Sequence, residues 1–271
     1  MTAAYLTAFG LREAPFSKEI PAAQLWLPPS KLGVVDALVE ALAERAQVVL
    51  VGEPGVGKTC VLRALRHRIP QAGFRLTYCH NATLGRRDFY RQLCLALGLS
   101  PSATAAGVFY AVSSHVEDLA KDRVHPVFLL DEAHLLHQDT LNHLHILLNY
   151  EWDSRALLSL ILVGLPELQD RLALRRNRAL YSRIHYRLAI GALTPDDTAE
   201  YVRMRLAHVG CDRELFPGDT VALLHEATVG AMRDIDRLAG AALREAARRK
   251  RRLVERDSLS HVLDTDAREA A

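Results

Sequence analysis

Strand-like and helix-like segments alternate along the chain up to about residue 193. Four short runs, apolar or alternating, have the length of β-strands: residues 48–51, 74–80, 126–130 and 157–163. The segments between them repeat apolar residues every three or four positions, which predicts helices at 32–46, 61–69, 86–97, 107–121 and 138–150. Alternating strands and helices predict an α/β fold, in which helices cover both faces of a parallel sheet.

Beyond residue 193 the pattern changes to helices alone, at 195–208, 218–227, 231–250 and 257–263. Thr194-Pro195-Asp196-Asp197 is typical of a helix start, with a capping hydroxyl, a proline and acids in the first turn. The first 30 residues are rich in proline and carry aromatic side chains that need burial. We therefore expect three parts: an extended lead-in (1–30) packed on the core, an α/β core (31–193) and an all-helical domain (194–271).

Composition indicates an ordinary globular protein and gives no sign of a disulfide-rich, zinc-binding, secreted or membrane-spanning one. The chain has 271 residues, 49% hydrophobic and 24% charged, with a net charge of +2, which is an ordinary globular balance. The cysteines lie far apart and form no C-x-x-C pair, so the sequence indicates neither a disulfide framework nor a zinc site. No signal peptide is evident, and no apolar run reaches the ~20 residues that a membrane span needs. We expect a cytoplasmic protein that does not associate with a membrane.

One glycine-rich string carries the strongest chemical signal. It fits G-x-x-x-x-G-K-[ST], the phosphate-binding loop of nucleoside triphosphatases, and it follows a strand and opens a helix, as that loop requires. We call residues 52–59 the phosphate loop. Its predicted nucleotide contacts, with the residue that follows, are Gly52, Glu53, Pro54, Gly55, Val56, Gly57, Lys58, Thr59 and Cys60.

The chemistry of the phosphate loop explains its sequence. Glycines let the backbone turn tightly and present N–H groups to phosphate oxygens, and the helix that follows directs its positive end at the same charge. Lys58 would place an ammonium on the β- and γ-phosphates, and the Thr59 hydroxyl would ligate Mg²⁺. ATP and Mg²⁺ are therefore the predicted ligands.

A second signal follows the third strand-like run. Asp131 and Glu132 stand where that run ends, and acids at the carboxyl end of a buried strand lie beside the phosphate loop in sheets of this type. Asp131 would hold Mg²⁺ together with Thr59, and Glu132 would polarise the attacking water. Ala133 and His134 complete a D-E-A-H string that also occurs in helicases, but the other helicase motifs are missing here.

The motifs together resemble the AAA+ superfamily and, within it, the small ATPases of the ExeA, TnsC and TniB type. The matching strings occur in the family's order: Phe9-Gly10-Leu11…Pro15-Phe16, Gly52–Thr59, Asp131-Glu132-Ala133-His134, Val163-Gly164…Pro166-Glu167-Leu168, Ser182-Arg183-Ile184 and Gly230…Arg233…Ile235…Leu238. The resemblance implies that the helical domain is a lid. It also implies that neighbouring subunits of a ring or filament enclose the nucleotide, so that ATP acts as a switch.

The resemblance assigns further roles. Arg183 corresponds to the arginine finger that reaches the next subunit's γ-phosphate, with Arg178 and Arg187 as alternatives. Arg233 resembles the sensor-2 arginine of the lid, and Asn81 the switch residue that holds the catalytic glutamate. Where the family carries a polar residue after the fourth strand, this chain has Leu165, which implies either slow turnover or a substitute residue elsewhere, and the position has no assignment.

Arginines and histidines outside these motifs leave alternatives open. Two arginine-rich stretches, 171–187 and 244–252, are either solvated helix faces or contacts for anions or nucleic acid. The histidines between 134 and 145 favour a solvated helix face over a metal site, because residues two apart diverge on a helix.

The resemblance implies a regulator of DNA transposition. Such an ATPase would form a homo-oligomer on double-stranded DNA, hydrolyse ATP under stimulation by DNA, and recruit a transposase, with a target-selection protein as a further partner. Arg86 and Arg87, at the start of a predicted helix, are the candidate DNA contacts. The alternatives are an ExeA-like ATPase of secretion or envelope assembly, and a nucleotide-dependent scaffold that hydrolyses little. The first alternative usually carries a membrane span and a wall-binding domain, for which this sequence shows no signal.

Overall fold

A parallel sheet organises the first part of the chain. The computed structural model describes residues 2–79, 85–100 and 104–269, and within them five strands pair in the order β2-β3-β4-β1-β5, all parallel. The strands are β1 (Gln47–Gly52), β2 (Phe74–Cys79), β3 (His125–Leu130), β4 (Ser159–Gly164) and β5 (Ile184–Ile190). This arrangement confirms the predicted α/β fold.

Burial explains which strands the sequence revealed. Every residue of β1, β3 and β4 is buried, because these strands lie inside the sheet and both of their faces are covered. The edge strands β2 and β5 instead alternate between buried and exposed positions. The sequence analysis found four strands and missed β5, in which two of the three exposed positions are His185 and Arg187.

Most α-helices of the described residues lie close to the predicted segments. The helices are α1 (Thr2–Phe9), α2 (Pro29–Ala43), α3 (Lys58–Arg68), α4 (Arg86–Ala96), α5 (Ala105–Lys121), α6 (Gln138–Leu147), α7 (Glu167–Ala173), α8 (Arg178–Tyr181), α9 (Pro195–His208), α10 (Gly218–Thr228), α11 (Met232–Arg248) and α12 (Arg256–Glu269). None of the helices in the described ranges is long and apolar enough to cross a membrane. The short helices α7 and α8 were not predicted, because each is too brief to show a periodic pattern.

The chain divides into two compact units. The sheet unit comprises Ser30–Glu53 and Val61–Ile190. The helical unit comprises Met1–Pro29, Gly191–Ala271 and, between them in sequence, Pro54–Cys60, which is most of the phosphate loop. The loop that leaves β1 is therefore grouped with the C-terminal helices.

The lead-in differs from its prediction. Residues Thr2–Phe9 form a helix rather than an extended segment. Tyr5 and Phe9 are buried in the hydrophobic cluster of the helical unit, not in the cluster that contains the strands. Arg205 of α9 holds the lead-in further along, since its guanidinium donates to the carbonyls of Pro15 at 2.7 Å and Ser17 at 2.6 Å. Burial of the lead-in's aromatic residues is therefore complete for Tyr5 and Phe9 and partial for Phe16 and Trp26, and their neighbours belong to the helical unit.

The first helix after the sheet begins as its sequence predicts. The Thr194 hydroxyl accepts a hydrogen bond from the Asp197 N–H at 3.1 Å, and the Asp197 carboxylate accepts from the Thr194 N–H at 3.2 Å. These reciprocal bonds form a capping box with a proline in the first turn. The start of α9 at Pro195 is therefore encoded locally.

The first residue of β3 should make stability depend on pH. His125 is 8% exposed, and its Nε2 lies 2.9 Å from Ser159 Oγ. Burial, with a smaller contribution from Arg45, lowers the pKa of His125 to about 4. In the unfolded chain the pKa of this histidine is about 6.5, so the unfolded state binds the proton first as the pH falls. The contribution of the neutral, buried His125 to the free energy of unfolding is therefore complete above pH ~6.5 and is lost towards pH ~4. We expect the free energy of unfolding, measured with urea, to fall less over this window in His125→Gln. Equal pH slopes in the two proteins would contradict this assignment.

Candidate functional site

The phosphate loop has the backbone that a phosphate cradle requires. β1 ends at Gly52 and α3 begins at Lys58, so the loop runs directly into a helix N-terminus. Gly55 has φ +80° and Gly57 has φ +100°, conformations that residues with a β-carbon rarely adopt. Lys58 is half-buried and Thr59 is exposed at the first turn of α3. These features match the predicted role of the loop.

The start of α11 contacts the phosphate loop within the helical unit. The Arg233 N–H donates to the Gly55 carbonyl at 3.2 Å. A β-carbon at Gly55 would lie 3.2 Å from the Arg233 Cβ and 3.6 Å from the Ala231 Cβ, so this close approach also favours glycine. The Arg233 side chain is exposed. Its backbone is thus fixed against the loop while its guanidinium is open to solvent, an arrangement that suits a lid arginine which senses phosphate.

Two acids follow β3, and hydrogen bonds fix the side chain of the first. Asp131 Oδ2 accepts a hydrogen bond from the Tyr78 hydroxyl at 2.7 Å, and Asp131 Oδ1 accepts from the Glu132 N–H at 2.9 Å. Burial, together with the bond to Asp131, raises the pKa of Tyr78, which therefore remains a donor at neutral pH. Glu132 has φ +53° and a half-exposed side chain. The backbone strain at Glu132 sets this carboxylate apart from an ordinary turn residue.

A histidine lies beside the second acid. The His134 Nε2 is 3.6 Å from Glu132 Oε2, and its Nδ1 accepts from the Leu165 N–H at 3.4 Å. Leu165 follows Gly164, the last residue of β4. A β-carbon at Gly164 would lie 3.2 Å from the ring nitrogen Nδ1 of His134. The turn after β3 and the end of β4 are therefore packed together through this imidazole.

The proposed finger is engaged in an ion pair. Arg183 Nη2 lies 2.5 Å from Asp153 Oδ2, and Nη1 donates to the Ala179 carbonyl at 3.1 Å. Asp153 ends a turn in which residues 151–153 all have positive φ. Of the two alternatives, Arg187 stacks 4.0 Å above the ring of Tyr181, while Arg178 is exposed at the start of α8.

The remaining predicted residues are distributed as follows. Arg86 and Arg87 are exposed in the first turn of α4, which begins after Gly85. Asn81 lies outside the described residues. The cysteine after the phosphate loop, Cys60, is partly buried against the hydrophobic cluster of the helical unit.

Several arginines of the two basic stretches have structural partners. Arg171 donates to the carbonyls of His134 and Leu136, so it holds the turn after Glu132. In the second stretch, Arg248 and Arg249 pair with Glu245 of their own helix. Intramolecular partners count against contact with an anion for these residues, and for Arg248 they favour the interpretation as a solvated helix face.

The Asp131 carboxylate, which follows β3, is a suitable ligand for Mg²⁺. Carboxylate oxygens are the hard ligands that Mg²⁺ prefers, and a carboxylate retains lone pairs after accepting one hydrogen bond on each oxygen. Asp131 has this arrangement. In the described part of the chain no three His, Cys, Asp or Glu side chains are grouped as a metal site of their own. The protein would therefore contribute few ligands, as is usual where Mg²⁺ also binds phosphate oxygens.

Comparison with known proteins defines the class of the fold. Residues 42–172 match the family described as AAA domain. Similar solved structures include Drosophila ORC bound to DNA, at TM-score 0.70 and 19% identity over 96% of this chain and 65% of that one. The ORC1 protein of Aeropyrum pernix in complex with DNA is similar at TM-score 0.66 and 19% identity, over 91% and 68% of the two chains. These similarities show that the parallel sheet and the helices after it form a fold shared with these proteins, and that residues 42–172 resemble an AAA domain.

One relative has a higher sequence identity to this chain than these solved structures have. The General secretion pathway protein A of Aeromonas hydrophila is 32% identical over 243 residues, which is 88% of this chain. The alignment covers 44% of that protein, so this chain spans less than half of its length. The region that the two proteins share includes the phosphate loop and the acids after β3.

The structure adds three residues to the site that the sequence analysis did not assign. Tyr78 faces Asp131 because β2 and β3 pair in parallel, with Tyr78 opposite Leu129. The alternation of β2 was a usable signal for this residue, since it shows which side chains share a face. His134 had been assigned to a solvated surface, but its ring is mostly buried. Nothing in the sequence pattern pairs Asp153 with Arg183, because the two are 30 residues apart.

Proposed function

We propose that the protein is an ATP-hydrolysing switch whose subunits assemble on double-stranded DNA. The observation that carries this proposal is that a glycine loop with two positive-φ residues directly follows β1 and that two acids directly follow β3. Both follow the carboxyl ends of strands in one parallel sheet, where α/β proteins bind their ligands. The AAA domain match supports nucleotide hydrolysis as the chemistry.

Different residues of one subunit would bind the triphosphate, hold the metal and activate the attacking water. The loop amides and Lys58 bind and orient the triphosphate. Bound Mg²⁺, held by Thr59 and Asp131, would neutralise charge on the phosphates. Tyr78 fixes the orientation of the Asp131 carboxylate, and Glu132 accepts the proton of the attacking water.

A neighbouring subunit would complete the site through Arg183. A guanidinium offsets the charge that spreads over the γ-phosphate oxygens during transfer. In the single chain this group is paired with Asp153, so it would exchange one anionic partner for another when subunits meet. Arg233, attached by its backbone to the phosphate loop, would couple the lid to the same phosphate.

DNA binding is assigned to the start of α4. Arg86 and Arg87 are exposed at a helix N-terminus, where the helix dipole also favours phosphate. The transposition role is proposed on the motif resemblance of the sequence, with a transposase as the partner that the assembled ATPase would recruit.

The double variant Arg86→Ala/Arg87→Ala tests the DNA assignment. In co-sedimentation with long duplex DNA and ATP, we expect the wild-type protein to pellet and the variant to bind more weakly on every sequence. The slope of log K for DNA against log salt concentration should also become shallower. The change should correspond to the loss of about one to two phosphate contacts. ATP affinity should be unchanged. Arg66→Ala/Arg68→Ala, an exposed arginine pair outside the two basic stretches, is the matched control. Unchanged binding of the first variant at low salt would remove the assignment.

A second candidate function follows from the relative identified by sequence. The similarity to General secretion pathway protein A favours an ATPase that acts on a secretion or envelope assembly. The nucleotide chemistry would be the same and the partner would differ. Pelleting with membrane fractions rather than with DNA, in the presence of ATP, would favour this second function.

A further inference from the structure

The end of β4 lacks a side chain that could orient the attacking water. Gly164 closes the strand and Leu165 follows it, so neither residue offers a polar group. Glu132 is half-exposed, and a flexible carboxylate is a poor general base because it must be held within hydrogen-bond reach of the water. If Glu132 activates water, another residue has to restrict it.

The imidazole of His134 has the geometry for this task. Its side chain is 14% exposed and lies between the two segments, with Nδ1 towards Leu165 and Nε2 towards Glu132. Because Nδ1 accepts the Leu165 N–H at 3.4 Å, the neutral ring carries its proton on Nε2. That N–H lies 3.6 Å from Glu132 Oε2, so a small rotation of the carboxylate makes a hydrogen bond.

The surroundings hold this ring in place. A β-carbon at Gly164 would lie 3.2 Å from both the backbone nitrogen and Nδ1 of His134, so the strand packs directly on the residue. Arg171 of α7 donates to the His134 carbonyl at 2.7 Å and to the Leu136 carbonyl at 2.5 Å. A ring fixed on its strand side and through its backbone can restrict a mobile neighbour, whereas a solvated surface histidine cannot.

We propose that His134 is a positioning residue for Glu132: it links the Leu165 N–H at the end of β4 to the catalytic carboxylate through its two ring nitrogens. In this way it takes the place of the polar side chain that Leu165 does not provide. The inference rests on the proposed function, in which Glu132 activates water. It assigns to His134 no contact with ATP or with the metal.

The test compares two replacements of similar size. His134→Leu keeps apolar volume but removes both hydrogen-bonding atoms, whereas His134→Gln retains one donor and one acceptor. We expect kcat for ATP hydrolysis to fall up to about 100-fold in His134→Leu, with the Kd for ATP unchanged, and to recover in part in His134→Gln. His137→Leu, a change at an exposed histidine nearby, should behave as wild type.

A double variant separates positioning from a structural effect. Glu132→Gln/His134→Leu should hydrolyse no more slowly than Glu132→Gln alone, because His134 acts only through Glu132. If His134→Leu does not fold, the same comparison is made with His134→Ala, which removes the ring without adding bulk.

The outcomes identify which statement fails. Normal hydrolysis by His134→Leu together with an inactive Glu132→Gln would overturn this inference and leave the proposed function standing. Normal hydrolysis by Glu132→Gln would overturn both. A parallel loss of ATP affinity and kcat without recovery in His134→Gln would show a structural role and would also overturn the inference.

Discussion

Lys58→Ala is expected to abolish ATP binding at nucleotide concentrations that saturate the wild-type protein. The lysine is half-buried at the first position of α3, directly after the positive-φ glycines of the phosphate loop. Removing its ammonium leaves phosphate charge without a partner in a partly desolvated site, which costs about 2–5 kcal/mol. Affinity should therefore fall by at least about 30-fold, measured by calorimetric titration with ATP and Mg²⁺.

The control for this variant is another lysine. Lys121→Ala removes a side chain that is 75% exposed and paired with Asp118, a surface ion pair that contributes little to stability. It should bind ATP as wild type does, and both variants should have the wild-type circular dichroism spectrum. ATP binding by Lys58→Ala at wild-type affinity would show that residues 52–59 do not form the nucleotide site.

Glu132→Gln is expected to bind ATP and fail to hydrolyse it. The amide has the shape of the carboxylate but cannot accept a proton, so the loss should be confined to the chemical step. General-base catalysis contributes about 10²- to 10⁴-fold, and kcat should fall by that factor while the Kd for ATP is unchanged. Because ATP persists, any nucleotide-dependent assembly should become long-lived, which size-exclusion chromatography would detect.

Glu117→Gln is the control for the chemical step. Glu117 is exposed on α5, and its replacement should leave both binding and hydrolysis unchanged. If Glu132→Gln hydrolyses ATP at the wild-type rate, Glu132 is not the water-activating group, and the acid pair after β3 requires a different interpretation.

The sequence was sufficient for four of the five strands of the described sheet and for the turn of the phosphate loop between β1 and α3. The β1 and β3 runs are apolar throughout because both faces are covered, and the glycine pattern at 52–57 reflects positive φ at two of its positions. The edge strand β5 was not predicted. It is partly exposed, so it has polar residues at positions where a central strand has apolar ones. The pattern of apolar residues therefore identified the central strands, which are buried on both faces, but not the edge strand β5.

The details of the site required tertiary structure. Tyr78 reaches Asp131 through the register of β2 on β3, and His134 reaches Leu165 through the packing of two segments that are 31 residues apart. Asp153 acquires its role from a turn with three consecutive positive-φ residues, two of which, Glu151 and Trp152, are of types that seldom adopt that conformation. Pairings of this kind depend on strand register and on loop conformation, which a single sequence does not reveal.

The central claim is that one subunit binds the triphosphate and its neighbour completes the site. The most direct test mixes two inactive proteins: Arg183→Ala, which keeps its nucleotide site, and Lys58→Ala, which keeps its finger. In a random equimolar mixture about a quarter of head-to-tail interfaces would join an intact site to an intact finger. We predict that ATP hydrolysis reappears on mixing, although each variant alone is inactive. Absence of any recovery, or full activity of Arg183→Ala alone, would contradict the account.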